Sequence, residues 1–201
     1  MTDLKQRVIT GLLFGIVMIG SILLSPLTFF ILFFIITLLS ILEFYKIVST
    51  GDSKPQIIFG TFISLLIFVY FTHIAQSYFK FVMLTEIDIL LKSPFVIFLL
   101  LLFIFVFELF RNKQKPFINI ALTIAGVFYI ALPLGLFSCM AFYPYGDAKY
   151  QPQLVLGFFI LLWTSDTGAY FTGRRFGKNK LFERISPNKT WEGLIGGALT
   201  A

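Results

Sequence analysis

Between Val8 and Leu42 no side chain carries a charge. As one straight helix that stretch would run about 50 Å, against a hydrocarbon core of about 30 Å. Ser25-Pro26 falls near its middle, and proline removes a backbone donor and disfavours helix at the residue before it. The pattern therefore predicts a hairpin of two spans, roughly 8–24 and 27–43. Further apolar runs lie near 57–75, 94–110, 117–142 and 153–172, and another begins around Trp191. Pro133 marks the run through it for a kink. The expected fold is all-α, a polytopic transmembrane helical bundle of about six complete spans plus the start of a seventh.

Composition agrees with lipid as the solvent. Of 201 residues, 58% are hydrophobic, 27 are Phe and only 13% are charged, where a soluble domain is nearer a quarter charged. Lys and Arg outnumber Asp and Glu by 16 to 10. With the N-terminus inside, the hairpin reading leaves only Lys80, Lys92 and Lys149 outside, as the positive-inside rule asks. A single span over Val8 to Leu42 would strand more of the basic residues outside. The net charge of +6 is thus a matter of topology, and no nucleic acid partner is expected. The first span reads as uncleaved, because Leu23 stands where a small residue should precede a cleavage site after Ser25. Residues 1–201 read as a single transmembrane domain in which 173–190 form a cytoplasmic basic loop. The run Leu194 to Ala201 is too short to cross a bilayer, so the chain is expected to be the N-terminal part of a longer protein.

Several conspicuous residues have plain explanations. Cys139 is the only cysteine, which excludes an intrachain disulfide, and it reads as a small buried apolar residue. His73 is the only histidine and is expected at the outer interface, with no zinc site to join. Glu43 and Glu108 lie at cytoplasmic span ends near Lys46 and Arg111, where surface pairing suffices. Gly11-x-x-x-Gly15 and Gly193-x-x-x-Gly197 permit close helix packing.

The chemistry is concentrated between Asp166 and Glu192. Asp166 lies inside an apolar run, where a carboxylate costs roughly 2.5–3.5 kcal/mol on insertion scales. Tyr170 and Gly173 follow at i+4 and i+7, which places a polar stripe on one helix face. The carboxylate either anchors a divalent ion near the inner surface or pairs with a neighbouring Lys or Arg. Gly173 to Lys180 then supplies two glycines and four cations, a composition suited to phosphate, and equally to an anchor on anionic lipid. It is not a P-loop: the glycine spacing is one residue short, and Asn179 follows Lys178 where Ser or Thr is required. Ser186-Pro187 reads as a helix start, with Ser186 as cap. Lys189, Thr190 and Glu192 would then lie on the first turns, with Glu192 either binding metal or complementing the helix dipole.

Taken together, Ser165-Asp-Thr-Gly-Ala-Tyr-Phe, Gly173-Arg-Arg-Phe-Gly-Lys-Asn-Lys-Leu and Ile185-Ser-Pro-Asn-Lys-Thr-Trp-Glu-Gly resemble the phosphatidate cytidylyltransferase family. The resemblance covers about Trp163 to Gly197. It implies an inner-membrane enzyme that converts CTP and phosphatidic acid to CDP-diacylglycerol and pyrophosphate with magnesium, and it leaves room for a homodimer. It implies Asp166 and Lys189 as catalytic residues, with Asp166 at the metal, where the residues themselves leave Glu192 as a second candidate ligand. Tyr170, Gly173, Arg174, Gly177, Lys178, Lys180, Ser186 and Thr190 would bind substrate. Phe182-Glu183 departs from the family pattern, and the family's C-terminal signature is missing, so the chain as it stands is expected to be inactive. The alternatives are a CTP-dependent polyprenol or phytol kinase and, from another class, a small membrane transporter.

Overall fold

The computed structural model describes residues 2–77, 94–142 and 150–201, which form two compact units, Met1–Gln151 and Pro152–Ala201. Lys80, Lys92 and Lys149, the three lysines expected outside, fall beyond the described residues. The first unit contains α1 (Thr2–Leu24), α2 (Pro26–Val48), α3 (Ile57–Ser77) and α4 (Pro94–Arg111). It continues with α5 (Pro116–Gly126), a π-helical turn (Val127–Ala131) and α6 (Leu132–Ala141). The second unit contains α7 (Pro152–Phe176), a two-stranded ribbon of β1 (Lys180–Phe182) and β2 (Ser186–Thr190), and α8 (Trp191–Thr200). Four of the described helices are long and apolar enough to cross a membrane: Pro26–Val48, Ile57–Ala75, Pro116–Ala141 and Pro152–Phe176. The protein is a membrane protein with the all-α bundle its sequence predicts.

The expected break at Ser25-Pro26 is a complete capping box. Ser25 Oγ accepts from the Thr28 amide at 3.1 Å, and Thr28 Oγ1 accepts from the Ser25 amide at 3.1 Å. Thr28 Oγ1 also donates to the Ser21 carbonyl at 2.8 Å, which ties the end of α1 to the start of α2. The kink expected near Pro133 takes the form of the π turn. Proline has no N–H to offer its helix and its ring crowds the carbonyl one turn back. A single widened turn just before it relieves both problems while the helix continues.

In lipid, every polar group in a span must find a partner inside the protein. The hydroxyls of Thr37, Ser64, Thr72 and Thr123 each reach the carbonyl four residues back, at 2.7–2.9 Å. Tyr45 is fully buried and donates its hydroxyl to the Thr123 carbonyl at 2.8 Å. Glycine makes the space for it. A Cβ on Gly126 would lie 2.7 Å from Tyr45 Cε1, and one on Gly60 would strike the Tyr45 hydroxyl oxygen. Both Gly60→Ala and Gly126→Ala are expected to cost about 1–3 kcal/mol by overpacking. Tyr45→Phe should relieve the first only in part, because a Cβ on Gly60 would still lie 2.7 Å from ring Cζ, and the second not at all, because Gly126 faces the ring edge. Thermal unfolding of the single and double variants in detergent checks this.

His73, near the end of α3, is buried at 9% exposure. The first unit corrects one expectation. Glu108 is not a surface pair: it is 3% exposed, and three neighbours share its carboxylate. Oε2 accepts from Gln56 Nε2 at 2.8 Å and Arg111 Nη1 at 2.7 Å, while Oε1 accepts from Asn119 Nδ2 at 2.7 Å. Cys139 is half-buried, with Sγ 3.7 Å from the carbonyls of Phe71 and Gly135.

Candidate functional site

The candidate residues of the sequence all fall in the second unit, on α7, the ribbon and the start of α8. Helices α7 and α8 pack back to back through small residues. A Cβ on Gly193 would lie 3.0 Å from the Ala169 carbonyl, and one on Gly197 would lie 2.9 Å from the Ser165 carbonyl. One on Gly168 would meet the Thr200 hydroxyl, and one on Gly196 would meet that of Thr172. The Gly193-x-x-x-Gly197 spacing therefore does what it permits: backbones approach closely where side chains are absent. Thr200 Oγ1 reaches across to the Thr164 carbonyl at 3.2 Å.

Helix α7 runs a turn further than the span read from sequence. Arg174 and Arg175 lie in its last turn, where cations complement the dipole, so the basic loop is shorter than 173–190. Asp166, Tyr170 and Gly173 share the expected face. Asp166 is exposed and has no hydrogen bond or ion pair among the described residues. Of the two readings of this carboxylate, the pair with a neighbouring cation is not formed among the described residues. Tyr170 is 58% exposed, and its hydroxyl accepts from Arg174 Nη1 at 3.0 Å one turn on.

Ser186-Pro187 does not start a helix. These residues lie in β2, which pairs antiparallel with β1 in the register Lys180 to Thr190 and Phe182 to Ser186. Proline is tolerated there because a two-stranded ribbon is all edge. The helix starts four residues later, with Thr190 as its cap. Thr190 is extended (φ −127°, ψ 155°), and its Oγ1 accepts from the Gly193 amide at 3.2 Å. The hydroxyl expected to face substrate is thus buried at 8% exposure and holds the helix end. Gly173 and Gly177 pack against it: a Cβ on Gly173 would lie 3.2 Å from Thr190 Oγ1, and one on Gly177 would collide with the Gly173 carbonyl.

Glu192 joins the ribbon to α8. Its carboxylate accepts from the Lys178 amide at 3.2 Å, the Asn179 amide at 3.2 Å and Asn179 Nδ2 at 2.8 Å. The Trp191 amide donates to the Asn179 carbonyl at 3.0 Å. Hydrogen bonds from its own backbone N–H, and then from Lys178 and Asn179, hold the Glu192 carboxyl below the usual carboxylate range. A depressed folded value means the clasp contributes fully above the ordinary carboxylate range, near about 4.3. That contribution is lost as pH falls through the lower folded value. Glu192→Ala, or acidification of the wild type, is expected to lower the protection of the Lys178 and Asn179 amides, read as hydrogen exchange relative to the intrinsic rate at the same pH.

Sequence reasoning missed this clasp and the cap. An Asn preceding the ribbon and a Thr-x-Glu at its end were the available signals. The cations around the clasp are exposed. Lys180 Nζ donates to the Pro187 carbonyl at 2.5 Å across the ribbon. The ammonium groups of Lys178 and Lys189 have no partner among the described residues.

Residues 5–201 match the model of the cytidylyltransferase family. The chain belongs to that family. A phosphatidate cytidylyltransferase of Bacillus subtilis is 29% identical over 205 positions, covering all of this chain and 70% of that protein. Those of Haemophilus influenzae and Pseudomonas aeruginosa are 60% and 52% identical over 48 and 44 residues. Those shorter stretches cover 24% and 22% of this chain and 17% and 16% of the relatives. No solved structure matches the chain.

For this cytidylyltransferase-family chain, the fit of a magnesium ion can be tested on the packing register. Magnesium takes oxygen ligands at about 2.0–2.1 Å, so two ligands of one ion lie within a few Å of each other. Gly197 packs at Ser165 and Gly193 at Ala169 and Gly173, which sets Asp166 and Glu192 about two turns apart, roughly 11 Å along the axes. At that separation the two carboxylates do not fit one shared ion. Asp166, exposed and without a partner among the described residues, has the chemistry of a single carboxylate ligand; Glu192 is occupied by the clasp. Among the described residues no group of three or more His, Cys, Asp or Glu converges.

Proposed function

We propose that this chain provides the membrane helices and basic ribbon of a phosphatidate cytidylyltransferase, which transfers CMP from CTP to phosphatidic acid. The observation that carries the reading is the family match over residues 5–201, supported by a named relative aligned across the whole chain. A phosphate oxygen of phosphatidic acid attacks the α-phosphorus of CTP. A bond forms there, the α–β anhydride bond breaks, and pyrophosphate leaves with the electron pair. Little covalent work falls to the protein in such a transfer; positioning and charge neutralisation dominate.

Lys178 and Lys189, exposed and without a partner among the described residues, are suited to hold phosphate oxygens. Arg174, oriented by Tyr170, is a third cation on the same unit. Lys180 and the pair Thr190 and Gly177 keep the ribbon in shape, so their contribution to binding is through position. Asp166 would hold the magnesium. When bound, that ion would screen the triphosphate and polarise the α-phosphate. The reading puts the ribbon on the cytoplasmic side of the inner membrane, where CTP is, and holds for a monomer or a homodimer alike.

The test uses membranes carrying the whole protein, supplied with CTP labelled at either the α- or the γ-phosphorus. Cytidylyl transfer moves the α label into lipid in a phosphatidic acid-dependent way. Movement of the γ label into a lipid alcohol would replace this reading with the kinase.

A further inference from the structure

A second concentration of cations lies in the first unit, remote in sequence from the ribbon. The α2–α3 and α4–α5 loops border an open, shallow cleft of about 380 Å³ lined by Lys54, Arg111 and Lys113, together with Ser49, Asp52 and Ile57. Lys115 pairs with Asp52 at 3.1 Å, and Arg111 with Glu108 at 2.7 Å. The ammonium groups of Lys54 and Lys113 have no carboxylate partner among the described residues. The cleft therefore keeps a net positive charge, and the N-terminus of α3, a helix of 21 residues, adds the positive end of its dipole.

Topology alone asks for cations near span ends. It does not ask for them to be held around a concavity. Here the rim is fixed from below by the buried Glu108 group. Arg111 Nη1 donates to the Lys54 carbonyl at 2.9 Å, and the Lys54 amide donates to Asn119 Oδ1 at 2.7 Å. The Gln56 amide donates to Thr123 Oγ1 at 2.8 Å. A carboxylate and two amides buried at 0–4% exposure are costly in a membrane protein. What they accomplish is to lock two loops against each other, so the Lys54 backbone and the Arg111 guanidinium are positioned before any ligand arrives, with the Lys54 and Lys113 side chains at the exposed rim.

The surroundings are those of an amphiphile's site. Ile58, Leu109, Phe110 and Phe117, on the helix turns that border these loops, are each 82–88% exposed. Phosphate charge in the cleft and hydrocarbon on these side chains would suit the two halves of one lipid. We propose that the cleft between the α2–α3 and α4–α5 loops binds the phosphate group of an anionic membrane lipid, through Lys54, Lys113 and Arg111.

The experiment titrates the purified full-length protein, in detergent, with short-chain phosphatidic acid, short-chain phosphatidylcholine or inorganic phosphate. It is run on a background in which Lys178 and Lys189 are already Ala, so the ribbon does not contribute. Lys54→Ala/Lys113→Ala is expected to weaken phosphatidic acid binding at least about ten-fold, the loss expected for charged hydrogen bonds. Lys46→Ala, whose cation pairs with Glu43 on α2 at 3.7 Å, should leave it unchanged. Loss of inorganic phosphate binding in parallel would assign the site to phosphate as such. Loss for the lipid only would assign it to the whole amphiphile. Equal binding by the double variant and its parent, or equal affinity for phosphatidylcholine, would overturn the proposal. Because the ribbon lysines are absent throughout, failure here leaves the cytidylyltransferase reading standing.

Discussion

Asp166→Asn is expected to lower CDP-diacylglycerol formation by about two to three orders of magnitude, the usual range for losing one group that stabilises charge in a transition state. The variant changes one oxygen for nitrogen and removes the negative charge that would hold the metal. The fold should not notice. Asp166 is exposed and has no partner among the described residues, so no buried donor is orphaned by the change. Activity and folded yield are therefore separable: turnover falls while the protein survives size-exclusion chromatography with its wild-type unfolding temperature. Raising magnesium should restore part of the lost rate if the carboxylate is a ligand, because weakened ion binding is offset by mass action. Full turnover in the variant would remove Asp166 from the site.

Glu108→Ala should act in the opposite sense, on stability and not directly on chemistry. The substitution removes the acceptor for Gln56, Asn119 and Arg111 at once, leaving two buried amides and a partly buried guanidinium without it. Removing one partner of a buried, hydrogen-bonded ion pair costs about 3–5 kcal/mol. Glu108→Gln keeps the shape and one acceptor, so a smaller loss is expected. Unfolding of the three proteins in detergent should rank wild type above Glu108→Gln and that above Glu108→Ala. Equal stability of all three would mean that the loops are held by the apolar packing of Ile63, Ile67, Ile104 and Ile120 alone.

The local structure of the stretch from Asp166 to Glu192 was only partly legible in the sequence. Asp166, Tyr170 and Gly173 could be placed on one face because helical spacing depends on residue number alone. The start of α8 could not be placed. Ser186-Pro187 carries a good local helix-start signal, yet Thr190 carries one too, and the choice between them was made by pairing with β1. That pairing is non-local to either cap. Glu192 shows the same division: a first-turn carboxylate is legible as a dipole partner, but its grip on Lys178 and Asn179 exists only once the ribbon has folded back.

What the sequence determined by itself was the solvent and the order of elements. Apolar length against bilayer thickness sets the spans, and proline sets their breaks at Ser25 and before Pro133. Backbone groups in lipid have no alternative to helix, so these local rules suffice. Tertiary structure decided which polar residues belong together. Glu108, Gln56 and Asn119 lie on separate stretches of chain and look unremarkable alone. Only when α3, α4 and α5 pack does each become the partner the others need, because a polar group in that interior must be satisfied by whatever the fold brings to it.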